Sequence, residues 1–409
     1  MTTIAARRTG LFLLFFIPGL LLSSWVTRTP DVRDLLDAST AEMGIVLFGL
    51  SAGSMLGVLG SGAFVSRFGA RPVITVGISA VLLGMPVIAL GAHLSQSVLV
   101  GAGLFLCGFG IGGGEVAMNV DGADVERVSG RILLPTLHGF YSLGTVLGAA
   151  TGMLLTLAGL PVVWHLLIVT AIAVPVAVFS VRRLPYGVGR QPRRAPAAEQ
   201  AGTPAPKLWR EPALLLIGAI VLALALAEGA ANDWLPLIMV DGHDLSPALS
   251  SGVYLVFNIA MATGRFVGGW LLRRFTRPVI LCASAVTGAI GLLLIIVVDN
   301  QAVASGAALL WGLGAALGFP VALSAAADSG SNSTARVSLV ASLGYVAFLV
   351  GPPALGFIGD HYSLRSAMIL VLALVTLAAV LAPAMRARNL PSPGDGNDVR
   401  ETGSATAAH

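Results

Sequence analysis

Twelve apolar runs, most of them about twenty residues or longer, constrain this chain more than anything else in it. Their approximate limits are 10–29, 42–66, 72–92, 97–121, 135–158, 162–181, 212–234, 247–272, 277–298, 302–326, 337–358 and 366–385. A helix rises ~1.5 Å per residue, so about twenty residues cross a ~30 Å hydrocarbon core. No water satisfies the backbone there, which restricts spanning segments to helices or closed barrels. Unbroken apolar runs of this length read as helices. Only 11% of the 409 residues are charged, against about 25% in soluble domains. Too few charges are present to cover a soluble surface, and the class that follows is a polytopic membrane protein. The first run is too long for the core of a secretory signal and lacks a small-x-small cleavage site, so it is expected to stay as a helix.

The basic residues predict the orientation. With alternating spans, twenty of the 24 Lys and Arg residues fall on one side, and Arg28, Arg33 and Arg365 on the other. Arg265 falls inside a span. By the positive-inside tendency both termini are expected in the cytoplasm. The net charge of +4 is then explained by topology, with no nucleic-acid surface required. A Pro- and Arg-rich stretch interrupts the pattern, with an "APAAEQAGTPAP" core. The expected organisation is a six-helix bundle at 1–181, a mobile cytoplasmic linker at 182–211, a second bundle at 212–388 and a disordered tail at 389–409.

The stretch "GFGIGGGEVAMN" at 108–119 contains G-x-G-x-x-G. A dinucleotide site needs a strand before that motif and an acid on the next strand; here a continuous apolar run precedes it. No Walker pattern occurs, and Lys207 is the single lysine. Neither an enzyme nor an ATP-driven pump is expected. Cys107 and Cys282 lie in separate runs and fit no disulfide or metal pattern. No cofactor and no metal are expected.

The two halves echo each other. "GFGIGGGEVAMNVDGAD" at 108–124 aligns without a gap to "GLGAALGFPVALSAAAD" at 312–328, matching Gly108, Gly110, Gly114 and Asp124 to Gly312, Gly314, Gly318 and Asp328. "YSLG" at 141–144 parallels "ASLG" at 341–344, and "RFGARPVI" parallels "RFTRPVI". Two related six-helix halves around a midplane site are the plan of alternating-access transporters.

These residues resemble the major facilitator superfamily. Its turn between the second and third helices has the pattern G-x-x-x-D-R-x-G-R-R; here "GAFVSRFGAR" keeps Gly62, Arg67, Gly69 and Arg71 but puts Ser66 at the acid. The resemblance covers roughly residues 8–388. It implies an all-α polytopic fold of twelve transmembrane helices in two pseudo-symmetric six-helix bundles. It also implies a secondary transporter of the bacterial inner membrane, a monomer by family default, whose partners are a small solute, protons and the lipid bilayer. Within the superfamily, "EVAMN" followed by "HGFYSLGTVLGA" resembles the fucose permease branch. That branch's E-x-A-x-N glutamate couples protons and maps to Glu115; its polar fifth-helix residue maps to His138. Its first-helix aspartate has no counterpart in "LLLSSWVTRTP", and "SSWVTRTP" and "AEGAANDW" look more like a bacterial inner-membrane subgroup of largely unassigned substrates.

Glu115 stands out physically as well. A charged acid in mid-span costs about 2.5–3.5 kcal/mol on insertion scales, so holding and releasing a proton is the chemistry such a residue suits. Gly108, Gly112, Glu115 and Asn119 share one helical stripe, whose small residues are expected to leave space beside the acid. The alternative is an acid locked in a structural hydrogen bond. Glu228, in the seventh span, is a second proton-site candidate, with a charge pair to Arg28 as its competing reading. Solute contacts are expected from Asn119, His138, Tyr141, Trp25, Arg28, Asp233, Asn258 and Trp311; packing, or for Arg28 reaching the interface, is the plainer role of each. Gating is assigned to Gly62, Arg67, Gly69, Arg71 and Arg265. Asp121, Asp124 and Glu126 are expected to be solvated or paired with loop arginines. The expected function is proton-coupled transport of a sugar- or polyol-like solute; alternatives are proton-antiport export of drugs or metabolites and, further off, a non-transporting sensor.

Overall fold

The computed structural model describes residues 3–131, 133–191, 208–330 and 332–388. The linker core and the tail from 389 lie outside the described residues. The first half contains α1 (Ile4–Val26), α2 (Thr29–Leu36), α3 (Thr40–Phe68), α4 (Ala70–His93), α5 (Ser97–Ser129), α6 (Leu134–Leu157) and α7 (Val162–Val181). The second contains α8 (Pro212–His243), α9 (Pro247–Arg274), α10 (Arg277–Val297), α11 (Gln301–Ala327), α12 (Ser333–His361) and α13 (Leu364–Leu381). Among the described residues, twelve helices are long and apolar enough to cross a membrane. The chain is a multi-pass, all-α membrane protein.

Local chemistry sets the helix ends. Ser39 and Glu42 form a reciprocal cap at the start of α3, the Glu42 amide donating to Ser39 Oγ at 3.2 Å and the Ser39 amide to Glu42 Oε2 at 2.8 Å. Gly69, at φ +88°, ends α3 in a conformation that L side chains rarely adopt. Helix α2 has no counterpart among the twelve expected spans. Its signals are short and polar: Pro30 in the first turn, Asp31 beside it, and a left-handed Asp37 as the stop.

The sequence repeat is a packing repeat. In the first half, a Cβ on Gly108 would lie 1.9 Å from Leu50 O of α3, and one on Gly110 would lie 2.3 Å from Gly77 O of α4. In the second, a Cβ on Gly312 would lie 2.4 Å from Phe257 O of α9, and one on Gly314 would lie 2.4 Å from Gly288 N of α10. Helices α5 and α11 therefore sit backbone to backbone against two neighbours each, through equivalent glycines. Between lipid-facing helices, dispersion at close approach supplies the association that water drives elsewhere.

The halves meet firmly at one end, the end away from the Arg-rich turns. There Arg33 of α2 pairs with Asp241 of α8, the Ala41 amide donates to Asp360 Oδ1 at 3.3 Å, and Ser251 Oγ donates to Thr27 O at 3.0 Å. Burial weighs against the charge of Arg33, but the Asp241 and Asp34 carboxylates outweigh it and raise the guanidinium's pKa. Helices α3 and α12 touch through Gly44 and Gly356: a Cβ on Gly44 would stand 2.9 Å from Pro352 O. Gly44→Leu should therefore wedge this end apart. In a background with Cys107 and Cys282 replaced by Ala, a Ser251→Cys thiol, sealed in this structure, should react roughly tenfold faster with an impermeant maleimide, equivalent to ~1.4 kcal/mol of strain. Equal rates with and without the leucine would show that this contact does not hold the end shut.

At the basic end the linker's first residues are docked. Arg71 Nη1 donates to Leu184 O at 2.9 Å and its guanidinium stacks on Tyr186 at 3.9 Å. The Ala70 amide donates to Val188 O at 2.7 Å, and the Gln191 amide to Ser66 O at 2.9 Å. Residues 182–191 thus cover the α3–α4 turn, where a fully mobile linker was the expectation.

Candidate solute and proton site

Glu115 lies in the middle of α5, half-buried. Among the described residues it makes no hydrogen bond and no ion pair, so the locked-acid reading is not what the structure shows. Arg265 of α9 and Glu228 of α8 lie within electrostatic reach of it, as do Tyr141 of α6 and Tyr345 of α12. Arg265 Nη2 donates to Glu228 Oε1 at 2.8 Å, and its Nη1 reaches Ser142 Oγ at 3.5 Å. One arginine from the second half therefore touches both halves beside the free acid. The stripe glycines do not leave space: a Cβ on Gly112 would lie 2.4 Å from Ser54 O, so they close on α3.

His138 stands near the basic end of α6, exposed, its Nε2 3.2 Å from Asn119 Oδ1. Since the Asn119 oxygen accepts, Nε2 carries the proton in this arrangement. Phe15 meets the imidazole edge-on, centroids 5.1 Å apart. Asn119, Tyr141, Glu115, Arg265, Glu228 and Tyr345 are all half-buried, polar side chains from five helices between the basic end and mid-depth.

The remaining candidates fall elsewhere. Arg28 is 2% exposed and does not pair with Glu228; Nη1 donates to Asp31 at 2.9 Å and Nε to His165 Nδ1 at 3.0 Å. The short α2 begins at the next residue and brings Asp31 within reach, which the alternative pairing did not foresee. Being buried, Arg28 does not reach out to the interface either. Trp25 is buried beside it. Trp311 is fully buried, donates to Ala227 O at 3.1 Å and meets Phe257 edge-on, which is helix packing. Asp233 and Asn258 are buried one to two turns from the Arg265–Glu228 pair, toward the sealed end. Of the gating candidates, Gly62 faces open space, Arg67 covers Phe68, and Gly69 and Arg71 hold the turn and the docked linker; these contacts stay within the first half. Asp121 and Asp124 both pair with Arg7 at 2.8 Å, and Glu126 caps α6 by accepting from the Leu133 and Leu134 amides.

Sequence reasoning missed Tyr345, Ser142, Asn232 and Tyr254. A signal existed for two: Ser142 lies within "YSLG", and Tyr345 directly follows its echo "ASLG".

Comparison with known proteins agrees with this architecture. The sequence profile of the Major Facilitator Superfamily matches residues 136–337. An MFS-type transporter of Yersinia pestis is 28% identical over 369 residues, covering 90% of this chain and 93% of the relative. The nucleoside transporter NupG, in a mutant crystal structure, superposes with a TM-score of 0.75 at 15% identity, covering 93% of this chain and 99% of its own. The E. coli fucose:proton symporter FucP superposes with a TM-score of 0.63 at 18% identity, covering 92% and 98%. Twelve spanning helices around an interhelical polar cluster define a membrane transporter. Over residues 136–337 the chain matches the profile of the Major Facilitator Superfamily, and across most of its length it is similar to that superfamily's transporters.

Proposed function

We propose that this chain is a proton-coupled secondary transporter of the bacterial cytoplasmic membrane, both termini inside, that moves a small sugar- or polyol-like solute by alternating access. One observation carries the reading: Glu115 is an acid without a partner, next to an Arg265–Glu228 pair that already satisfies its arginine. While charged, Glu115 competes with Glu228 for Arg265 and holds α5 to α9 across the halves. Once protonated it releases Arg265 to Glu228, and the cluster becomes neutral, the state in which the halves reorient at least cost. Asn119, His138, Tyr141 and Tyr345 supply donors and acceptors suited to solute hydroxyls. The names of two structural neighbours, a nucleoside transporter and a fucose:proton symporter, accord with a polar solute.

The test is proteoliposome transport with a panel of fucose, xylose, sorbitol and myo-inositol. At least one should move with protons in the wild type. Glu115→Gln should keep solute exchange but lose pH-driven accumulation. Uphill accumulation at normal rates in Glu115→Gln would remove Glu115 from the coupling role.

A further inference from the structure

A second polar layer lies between the Arg265–Glu228 pair and the sealed end. We infer that it is a recognition site for an ammonium group, so that the solute of this transporter is an aminated polyol or sugar; this rests on the proposed transport reading and narrows it. Asp233 sits five residues beyond Glu228 on α8, is 9% exposed, and has neither a hydrogen bond nor an ion pair among the described residues. Ser23 of α1 and Asn258 of α9 are 0% and 1% exposed, and Ser23 Oγ and Asn258 Oδ1 have no partner. Ser23 and Asn258 lie within reach of the Tyr254 hydroxyl, and Asp233 lies within electrostatic range of it. Buried polar atoms of this kind are nearly always satisfied, so Ser23 Oγ and Asn258 Oδ1, with the unpaired Asp233 nearby, mark a place where a ligand or water belongs.

The hydrogen-bonding balance says which ligand. Tyr254 donates its proton to Asn232 Oδ1 at 2.9 Å, which leaves its oxygen free to accept. Asn258 Nδ2 donates to Tyr254 O at 2.9 Å, so its spare atom is the acceptor Oδ1. Asn232 Nδ2 donates to Glu228 O at 3.1 Å. The layer's free valences are therefore a carboxylate, an amide oxygen, the Tyr254 oxygen and the Ser23 hydroxyl, which can donate or accept; acceptors outnumber the one donor, a balance that an ammonium with three donors fits. The charge balance agrees. Glu228 is answered by Arg265, Glu115 by the coupled proton, and Arg28 is taken by Asp31 and His165. Asp233 is the acid in this core that no basic side chain answers. Because Ser23 belongs to the first half and Asp233, Tyr254 and Asn258 to the second, the layer opens when the sealed end parts.

The experiment measures binding by the ligand-dependent thermal unfolding of the full-length protein in detergent. The probes are matched pairs: 1-amino-1-deoxysorbitol against sorbitol, and glucosamine against glucose and N-acetylglucosamine. At least one amine should bind the wild type about tenfold or more tightly than its neutral partners, and Asp233→Asn should reduce that preference to within about twofold. Should Asp233→Asn not fold, Ser23→Ala, which keeps the acid, should weaken the amine about threefold and the neutral partners less, so that the preference narrows; an unchanged preference would count against the layer. Glu115→Gln should lose proton coupling and keep the amine preference, so the two readings fail separately. Equal affinity for amine and neutral partner, a preference that survives Asp233→Asn, or no binding of any amine would overturn the inference.

Discussion

Arg265→Gln should lower transport at least about tenfold and destabilise the protein, and Glu228→Gln in the same chain should restore most of the stability without the transport. Removing one member of a fully buried pair costs about 3–5 kcal/mol, because the other charge is left stranded. Here the Arg265 and Glu228 side chains are 29% and 15% exposed, so water softens the loss and ~1–2 kcal/mol is the expected coupling. A double-mutant cycle on thermal unfolding reads it directly. The neutral double variant keeps the hydrogen-bonding shape but leaves Glu115 with no cation to release. It should therefore fold and fail to couple. If the single Arg265→Gln variant transported like wild type, the pair would be structural and Glu115 would act without it.

Gly108→Val should prevent stable folding. A Cβ at this position would stand 1.9 Å from Leu50 O, 2.8 Å from Leu50 C and 2.9 Å from Ser54 N, all of them backbone. No rotamer change relieves a clash with backbone, so α3 and α5 must separate along their contact. Helix propensity favours most residues over glycine by up to ~1 kcal/mol, but overpacking of about 1–3 kcal/mol or more outweighs that gain. Gly108→Ala already introduces the Cβ and should unfold at visibly lower temperature. Gly306→Ala is the control: a Cβ there meets nothing within 4 Å, and it should be neutral or stabilising by a few tenths of a kcal/mol to ~1 kcal/mol. Comparable yield and unfolding temperature for Gly108→Val and wild type would show that α3 and α5 are not in the packing described.

The legible part of the site was the part written along a single helix. Glu115 could be found because an acid in an apolar run is improbable whatever surrounds it. The glycines of α5 could be read as packing positions because their spacing is helical, and their match to α11 exposed the repeat. Their consequence was read less well. They close on α3 and leave no cavity, a fact that depends on where α3 lies. The extra helix α2 escaped because it is short and polar, outside the long apolar runs that marked the others. Arg28 escaped with it, since its partners are Asp31 on that helix and His165 on α7.

By itself the sequence determined the twelve spans, the asymmetry of basic residues between their ends, the two-fold repeat and the presence of an isolated acid in mid-span. Each of these is a property of one segment in hydrocarbon, where a run must be long, apolar and helical to exist at all. Only the tertiary structure decided which charges are answered. Arg265 could have met either glutamate, and Glu228 could have met either arginine; the crossing of α8 and α9 chose the Arg265–Glu228 pair. That choice leaves Glu115, like Asp233, a mid-span acid with no ion pair among the described residues. The physical reason is range: in a low-dielectric core an ion pair is worth its desolvation only at contact distance, and contact between helices is set by their packing.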